Sequence, residues 1–362
     1  MRRYAVRKFG RYLDAMLPCI DLVRTTMAFL SPAPDITAKS PAFCGILGNT
    51  LLSTVPGISG AGPSPAGTLL TPAMDAELIL QGAITSMPGN PNTPTGCPTP
   101  AVITRAMMEL TGIVPLFINA GLARPPSVPC LDMYGSAGGD PRSGDAVPAA
   151  PALFERGRWV GKYLSGTSDL LTLGESIPGG TTTALCVLRA LGYDASVSSS
   201  FVMNPVSLKE SVCRAVLERI QKNRVTGPLD IARCAGDPMM PVAAGIASSY
   251  TGTMILAGGT QMLAVAALLK AMGHRLPRVV TTVYVRDDAT AGMAGLASAI
   301  GVKTYYIDPG FGNLGHDGLA RYCKGEVKEG MGAGGAMALA NILGHSPDAI
   351  RKKILSTANA YR

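Results

Sequence analysis

A turn rich in glycine and threonine at residues 174–185 carries the clearest chemical signal in this sequence. Before it stands the apolar run 169–173, which has the length of a short buried strand. After it, residues 184–191 have the composition of an apolar helix. A glycine turn between a strand and a helix start predicts an anion site, because unpaired amides point at the ligand and the helix dipole favours negative charge.

Five residues of this turn are candidates for ligand contact. Gly179 and Gly180 allow a phosphate to approach the backbone closely, and Thr181 and Thr182 supply hydroxyl groups. Glu175 is unusual in a site for phosphate alone, because its negative charge opposes that of the ligand. We therefore expect Glu175 to contact another part of the same ligand.

The capping-box sequence at residues 207–210 predicts the start of a helix that runs to about residue 221. Lys209 then lies in the first turn, where the helix dipole disfavours a cation by roughly 0.3–1 kcal/mol. A bound phosphate would make the positive charge favourable there, whereas a solvated lysine would destabilise the helix slightly. The sequence does not favour either of these two interpretations. Ser199, within the serine run 198–200, is either a further hydroxyl donor or part of a polar turn.

Gly258, Gly259 and Thr260 repeat the order of strand, glycine turn and hydroxyl group. They are candidates for contact with the sugar or ring of a nucleotide. Tight turns from a strand into a helix use the same residue types for steric reasons, so the pattern alone allows both interpretations.

Glu329 precedes the glycine-rich run 330–337, which enters an apolar helix. A carboxylate in this place can simply stabilise the helix dipole. The glycines also leave space for a ligand beside it, and apolar surroundings would raise its pKa towards the range of a general base. Glu329 is therefore a candidate catalytic residue, and the residues alone leave both roles open.

Residues 283–292 form a further candidate, in which Asp287 and Asp288 follow a strand-like run and precede Thr290 and Gly292. Many phosphoribosyltransferases use two acids, then threonine and glycine, to hold the ribose and the 5-phosphate. Here the acids stand too close to the threonine and glycine for that loop. The pattern favours a role for the two aspartates in capping a helix.

Six short apolar runs have the composition of buried strands: residues 44–47, 113–119, 169–173, 253–257, 279–285 and 302–307. Helical patterns separate most of them, at residues 101–110, 181–191, 261–272 and 290–300. This alternation predicts an α/β, Rossmann-like fold of three layers, with a mainly parallel sheet of about six strands and a small lobe. Ligands bind beyond the carboxyl ends of the strands in such a sheet, where the glycine turns lie.

The chain of 362 residues is long enough for one large α/β domain with a smaller lobe. Residues 1–35 predict a basic helical extension, and residues 36–362 predict a single catalytic domain. A lobe at about residues 52–100 is rich in glycine, proline, serine and threonine. We expect it to face the substrate, because a long loop in a compact domain is usually functional or poorly ordered.

The net charge of +8 is compatible with nucleic acid, an anionic membrane or small phosphorylated ligands. One tryptophan and seven phenylalanines leave few rings for base stacking, which disfavours nucleic acid. Residues 239–269 carry no charge, but polar and glycine-containing breaks divide them into pieces too short to cross a bilayer of ~30 Å. Without a visible signal peptide, CxxC pair or Cys/His cluster, the sequence predicts a cytoplasmic protein with reduced cysteines and no metal site.

These motifs together resemble those of nicotinate-nucleotide–dimethylbenzimidazole phosphoribosyltransferase, in a divergent branch of archaeal type. The similarity runs from about residue 48 to residue 340, and its most specific segments are 48–50, 56–59, 174–183, 236–239 and 257–264. In the better-known bacterial enzymes the turn reads Gly-Glu-Met-Gly-Ile-Gly-Asn-Thr-Thr. This chain keeps the family residues at positions 174, 175, 179, 181 and 182 and differs at 176, 177, 178 and 180.

The resemblance extends to residues outside the turn. Glu329 and the four residues after it are similar to the family segment whose glutamate is the catalytic base. Arg142 is similar to a family arginine that precedes the phosphate loop. The family's lysine near the phosphate falls on Lys209, with Arg214 as the alternative.

The resemblance implies a glycosyltransferase that moves a 5-phosphoribosyl group from nicotinate mononucleotide to a benzimidazole-like base, a step of cobalamin biosynthesis. It implies a homodimer that acts on small molecules without a cofactor or a metal. Two other functions stay open: a non-catalytic nucleotide-binding protein of the same fold, and a Mg²⁺-dependent transferase that uses phosphoribosyl pyrophosphate at Asp287 and Asp288. The accepting base also stays open among benzimidazoles, purines and phenols.

Overall fold

The computed structural model describes residues 28–62 and 64–361. Residues 1–27 of the helical extension predicted at residues 1–35 therefore lie outside the described residues. Residues 28–35 contain a two-residue strand, Leu30–Ser31, which pairs with a later strand at the edge of the sheet.

Eight strands form one sheet within the described residues: β1 (Leu30–Ser31), β2 (Pro41–Gly48), β3 (Leu116–Gly121), β4 (Leu131–Asp132), β5 (Leu170–Ser176), β6 (Thr253–Ala257), β7 (Arg278–Thr282) and β8 (Thr304–Ile307). Their order is β1-β8-β7-β6-β5-β2-β3-β4, and all neighbours are parallel except β1 and β8. The α/β fold with a mainly parallel sheet is confirmed. The expected number of about six strands is wrong, because β1 and β4 have two residues each and leave no apolar run in the sequence.

Thirteen α-helices lie in the same described part of the chain: α1 (Thr71–Gln81), α2 (Pro100–Thr111), α3 (Ala150–Ser165), α4 (Gly180–Ala190), α5 (Val206–Lys222), α6 (Pro228–Ala235), α7 (Met239–Ser249), α8 (Thr260–Ala271), α9 (Val283–Arg286), α10 (Met293–Ile300), α11 (Asp317–Ala320), α12 (Ala333–Ile342) and α13 (Pro347–Asn359). Four 3₁₀ segments accompany them: Leu51–Thr54, Gly67–Leu70, Phe311–Asn313 and Arg321–Lys324. The region predicted as a lobe, residues 52–100, thus contains α1 and two 3₁₀ segments.

Helices cover both faces of the sheet, so that the molecule has three layers. On one face α1, α2, α12 and α13 share a hydrophobic core with Phe43 and Leu47 of β2. On the other face α3 to α8 and α10 share a core with Cys44 and Ile46 of the same strand. This alternation is the pattern of a strand that is buried on both sides, as expected for a parallel sheet between helices.

The strand predicted at residues 279–285 ends earlier than expected. β7 stops at Thr282, and the next four residues form α9. The ring of Tyr284 packs against Phe311 at 5.9 Å and against Tyr322 at 5.6 Å between centroids. This tertiary cluster accounts for the turn in a segment whose residue types favour a strand.

The capping box predicted at residues 207–210 does not form. α5 begins at Val206, and no side chain caps its first turn. The Glu210 carboxylate instead pairs with Arg189 of α4, with Nη2 2.6 Å from Oε1. An ion pair with a neighbouring helix has replaced the local bond to the backbone.

The uncharged run 239–269 is divided among α7, β6 and α8, in agreement with the predicted breaks. None of the helices in the described ranges combines the length and the apolar character that a bilayer span requires.

Candidate functional site

The carboxyl ends of the central strands bring the candidate residues to one edge of the sheet. Glu175 lies at the end of β5, Gly258 follows β6, and Thr281 lies at the end of β7. The loop before α12 crosses this edge, because the Met331 amide donates to the Glu175 carbonyl oxygen at 2.9 Å. Glu329 comes two residues before Met331 in that loop. It lies close enough to Glu175 for its charge to contribute to the rise in the pKa of Glu175.

Glu175 is buried, and its carboxyl group holds the start of the glycine turn. Its Oε2 accepts hydrogen bonds from the Ile177 amide and from the Gln261 side-chain amide, both at 3.0 Å. Burial, followed by the charges of Asp237 and Glu329, raises the pKa of Glu175 to about 8. The side chain is therefore mostly protonated at neutral pH.

Glu329 lies at the start of α12, where two backbone amides bind one of its oxygens. Oε1 accepts from the Gly330 amide at 3.2 Å and from the Gly334 amide at 3.1 Å, and Oε2 lies 3.4 Å from the Thr281 hydroxyl. Burial raises the pKa of Glu329 to about 7, although these hydrogen bonds oppose the rise. A carboxyl group with this pKa is suited to accept a proton at neutral pH.

Asp237 is a third carboxyl group at this edge. It belongs to the motif 236–239, but the sequence predicted no role for it. It is completely buried, and it accepts from the Thr183 hydroxyl at 2.7 Å and from the Met239 amide at 3.1 Å. Burial raises the pKa of Asp237 to about 6. The bond to Thr183 joins the first turn of α4 to the start of α7.

Asp75 of α1 is a fourth carboxyl group here, and no sequence motif indicates it. Its Oδ2 accepts from the Ser176 hydroxyl at 2.6 Å, directly beyond Glu175. Burial raises the pKa of Asp75 to about 6.

The four carboxyl groups give this edge an acidic character. Within the described part of the chain none of them forms an ion pair with a basic side chain. Such an arrangement disfavours four negative charges at once, and it stabilises positive charge placed among the groups. The site is therefore suited to a ligand or transition state with cationic character.

The glycine turn itself differs in one respect from the prediction. Gly179 has a φ of 80° and packs so closely on Ser53 that a β-carbon would lie 3.0 Å from the serine side chain. The amides of Gly180 and Thr182 are not unpaired, because they donate to the carbonyl oxygens of Ile177 and Gly179 at 2.9 and 3.0 Å. These two bonds tighten the entry to α4 and remove two of the expected amide donors.

The two threonine hydroxyls of the turn differ in their exposure. Thr181 is partly exposed. Thr182 is fully buried, and its hydroxyl group has no hydrogen-bond partner among the described residues. A buried hydroxyl without a partner is costly, which is consistent with a bound group that would satisfy it.

Lys209 is not the solvated lysine that the sequence allowed. It is 2% exposed, and its ammonium group donates to the Ser198 carbonyl oxygen at 2.6 Å. Burial and the nearby charge of Lys328 lower the pKa of Lys209 to about 7. The Ser198 hydroxyl lies 3.5 Å from the Thr260 hydroxyl, which places Lys209 near the start of α8.

Lys328 is a second buried lysine that was not among the predicted site residues. Its ammonium group donates to the carbonyl oxygens of Ser199 and Phe201 at 3.1 and 3.2 Å and lies 3.4 Å from Asp288. Its position directly before Glu329 was the available signal. The two lysines thus hold consecutive parts of the segment around Ser199 and concentrate positive charge beside the acidic edge.

The second glycine turn also reaches the acidic edge. A β-carbon on Gly258 would lie 3.7 Å from Glu175 Oε1, and one on Gly259 would lie 3.8 Å from the Ser198 hydroxyl. Thr260 is buried at the first position of α8. This turn therefore lies between the acidic edge and the two lysines.

Other candidates make different contacts. Arg142 pairs with Asp140 at 2.6 Å, and Arg214 is exposed on α5. Asp287 pairs with Arg286 at 2.6 Å. Asp288 accepts from the amide and hydroxyl of Thr290 in addition to its ion pair with Lys328.

Comparison with known proteins places the chain in a family. No family model matches the chain. A UPF0284 protein from Methanosarcina mazei is 42% identical over 341 residues, which cover 91% of this chain and 97% of that protein. A UPF0284 protein from Thermococcus gammatolerans is 44% identical over 318 residues, or 86% of this chain and 96% of that protein. The chain belongs to the UPF0284 family.

Two solved structures share the fold of this UPF0284 chain. Nicotinate-nucleotide–dimethylbenzimidazole phosphoribosyltransferase from Thermus thermophilus matches with a TM-score of 0.56 and 16% identity, over 90% of this chain and 87% of that chain. CobT from the same organism matches with a TM-score of 0.54 and 16% identity, over 88% and 84%. At this identity the likeness establishes the fold.

The resemblance predicted from the sequence is thereby confirmed, and the archaeal UPF0284 relatives agree with the predicted archaeal-type branch. The substrates, the roles of single residues and the homodimer stay predictions.

Proposed function

We propose that this UPF0284 chain transfers the 5-phosphoribosyl group of nicotinate mononucleotide to a ring nitrogen of a benzimidazole-like base, with release of nicotinate and an α-ribotide. The observation that supports this most is the meeting of Glu175 and Glu329 at the sheet edge beside residues 179–182. The fold shared with enzymes named for this reaction agrees with it.

In the proposed complex the 5-phosphate binds between the glycine turn and the buried lysines. Thr181 and Thr182 donate their hydroxyl groups, and the second of these has no other partner among the described residues. Lys209 supplies positive charge from the neighbouring helix. Charge-assisted hydrogen bonds of this kind are about twice as strong as neutral ones.

The acidic edge suits the charge that develops during the transfer. The glycosidic nitrogen of the donor is already cationic, so nicotinate leaves with the electron pair of the breaking C1′–N bond and needs no acid. Positive charge grows on the ribose carbon in an oxocarbenium-like transition state. Glu175, which is mostly protonated at neutral pH, contacts the ribose or the nicotinate side, and the surrounding carboxyl groups favour the cation.

The acceptor binds on the opposite face of the ribose, against Glu329. Its lone pair forms the new C1′–N bond, and its second ring nitrogen becomes acidic as a result. Glu329 takes that proton, because its pKa of about 7 allows it to be ionised at neutral pH. Two partners that are held face to face gain much of their rate from orientation.

Incubation with nicotinate mononucleotide and a panel of bases tests the proposal, with chromatography to detect nicotinate and the coupled product. The panel includes benzimidazoles, purines and phenols. The proposal predicts equal amounts of nicotinate and ribotide with at least one base. Tight binding of the nucleotide without any release of nicotinate would indicate a nucleotide-binding protein instead.

A further inference from the structure

Asp75 and Glu329 lie on the same side of the site. α1 and α12 belong to the same layer of helices, so both carboxyl groups come to the edge of β5 from one face of the sheet. Burial raises the pKa of Tyr322, and the charges of both carboxyl groups add to that rise, which places them within electrostatic reach of one phenol.

A short series of contacts joins the two acidic residues. Asp75 is bonded to Ser176, which follows Glu175 in β5. The Glu175 carbonyl oxygen accepts from the Met331 amide, two residues after Glu329. Asp75 and Glu329 are both partly exposed at this edge, so a ligand can reach them.

Asp75 differs from a carboxylate that only supports the fold. Glu77, on the same helix, accepts from the amides of Thr85, Ser86 and Ser127 at 2.8 to 3.0 Å, and its hydrogen bonds outweigh the effect of burial and lower its pKa to about 2. Among the described residues, only the Ser176 hydroxyl donates to Asp75. One oxygen of Asp75 therefore retains its capacity to accept from a ligand.

We propose that Asp75, oriented by Ser176, selects an acceptor base that carries a hydroxyl or amino group on the ring portion away from the nitrogen facing Glu329. The proposal rests on the proposed function, because it assigns the acceptor to the space between these two carboxyl groups. The substituent donates a hydrogen bond to the free oxygen of Asp75. A base with a methyl group in the same place leaves this oxygen without a partner.

Discrimination of this kind is strong because it penalises the wrong ligand. A site that is built to bond a hydroxyl group rejects analogues that lack one, since its own polar group is left unpaired. A hydrogen bond to a charged group corresponds to an affinity difference of roughly 10–100-fold. We expect the chain to prefer 5-hydroxybenzimidazole to 5-methylbenzimidazole by about this factor.

The test is calorimetric titration of the full chain with these two probes in the presence of nicotinate. Wild type, Asp75→Ala, Asp75→Asn and the exposed control Asp194→Ala are compared. Asp75→Ala should lose the preference through weaker binding of the hydroxyl probe, with the methyl probe bound as well as before or better. Asp75→Asn, which keeps an acceptor oxygen, should keep a reduced preference, and Asp194→Ala should behave as wild type.

The inference would be overturned if wild type bound the two probes with equal affinity or bound neither of them. It would also be overturned if Asp75→Ala lost affinity for both probes equally. Because the readout is binding, failure of the proposed function is seen separately. A preserved preference for the hydroxyl probe without nicotinate release in the transfer assay would refute the transferase and leave the recognition by Asp75 standing.

Discussion

Replacement of Glu329 by glutamine tests the chemical step in this site. Glutamine preserves the shape of the side chain and can still accept from the amides of Gly330 and Gly334, but it cannot take a proton. General-base catalysis contributes roughly 10²–10⁴-fold. Turnover should therefore fall by this factor, about 3–5 kcal/mol, while affinity for nicotinate mononucleotide stays near that of wild type.

The pH profile of wild type provides a second readout of the same residue. The pKa of Glu329 is raised to about 7, so the carboxyl group is protonated and inactive as a base below that value. Turnover at saturating nucleotide should rise with pH through about 7 and then level off, with roughly one tenth of the plateau at about pH 6. The residual rate of Glu329→Gln should lack this rise.

The assay is steady-state release of nicotinate between about pH 5 and 9, with nucleotide affinity measured separately by calorimetry. Glu218→Gln is the matched control, because Glu218 is exposed on α5. Wild-type turnover in Glu329→Gln would remove this residue from the mechanism. Parallel loss of nucleotide affinity and turnover would assign it to binding.

Three further predictions concern the binding groups. Thr181→Val should weaken binding of nicotinate mononucleotide by roughly 2–10-fold, the value of a neutral hydrogen bond, and unchanged affinity relative to the exposed control Thr226→Val would place the phosphate elsewhere. Lys209→Met should weaken binding of nicotinate mononucleotide by about 10–100-fold. It should not lower Tm, because a buried lysine whose pKa is lowered costs stability when it is charged. Equal effects of the exposed control Lys222→Met would contradict this prediction. Glu175→Gln should raise Tm at pH 9 but not at pH 4. The reason is that a carboxyl group whose pKa is raised to about 8 in the folded protein costs stability progressively between about pH 4.5 and 8. An equal shift of Tm at both pH values would contradict this prediction.

The central strands could be predicted from sequence because each is an apolar run between turns. β5 and β6 were found in this way, as were the helices α4 and α8 that begin at their glycine turns. Strands of two residues, such as β1, give no such run, and only their pairing partner defines them.

The candidate site was predictable where its residues lie in glycine-rich turns at strand ends. Glu175 and Glu329 belong to such turns, and the fold joins them through one backbone hydrogen bond. Asp75, Asp237 and Lys328 were not assigned roles, because their significance depends on burial and on partners that are distant in the sequence. Ser176 lies 101 positions from Asp75, and Thr183 lies 54 from Asp237.

The same limit explains the error at the start of α5. A capping box is a local pattern, and the sequence contains one at residues 207–210. The ion pair between Glu210 and Arg189 involves another helix, and no local pattern reveals it.

The central claim is that nucleotide and base react directly with each other in one pocket. Its most direct measurement is nicotinate release from nicotinate mononucleotide with and without benzimidazole, with proton NMR of the ribotide formed. The account predicts release only when the base is present, one ribotide per nicotinate, and inversion at the ribose C1′. Release at the same rate without the base, or a product of retained configuration, would contradict it.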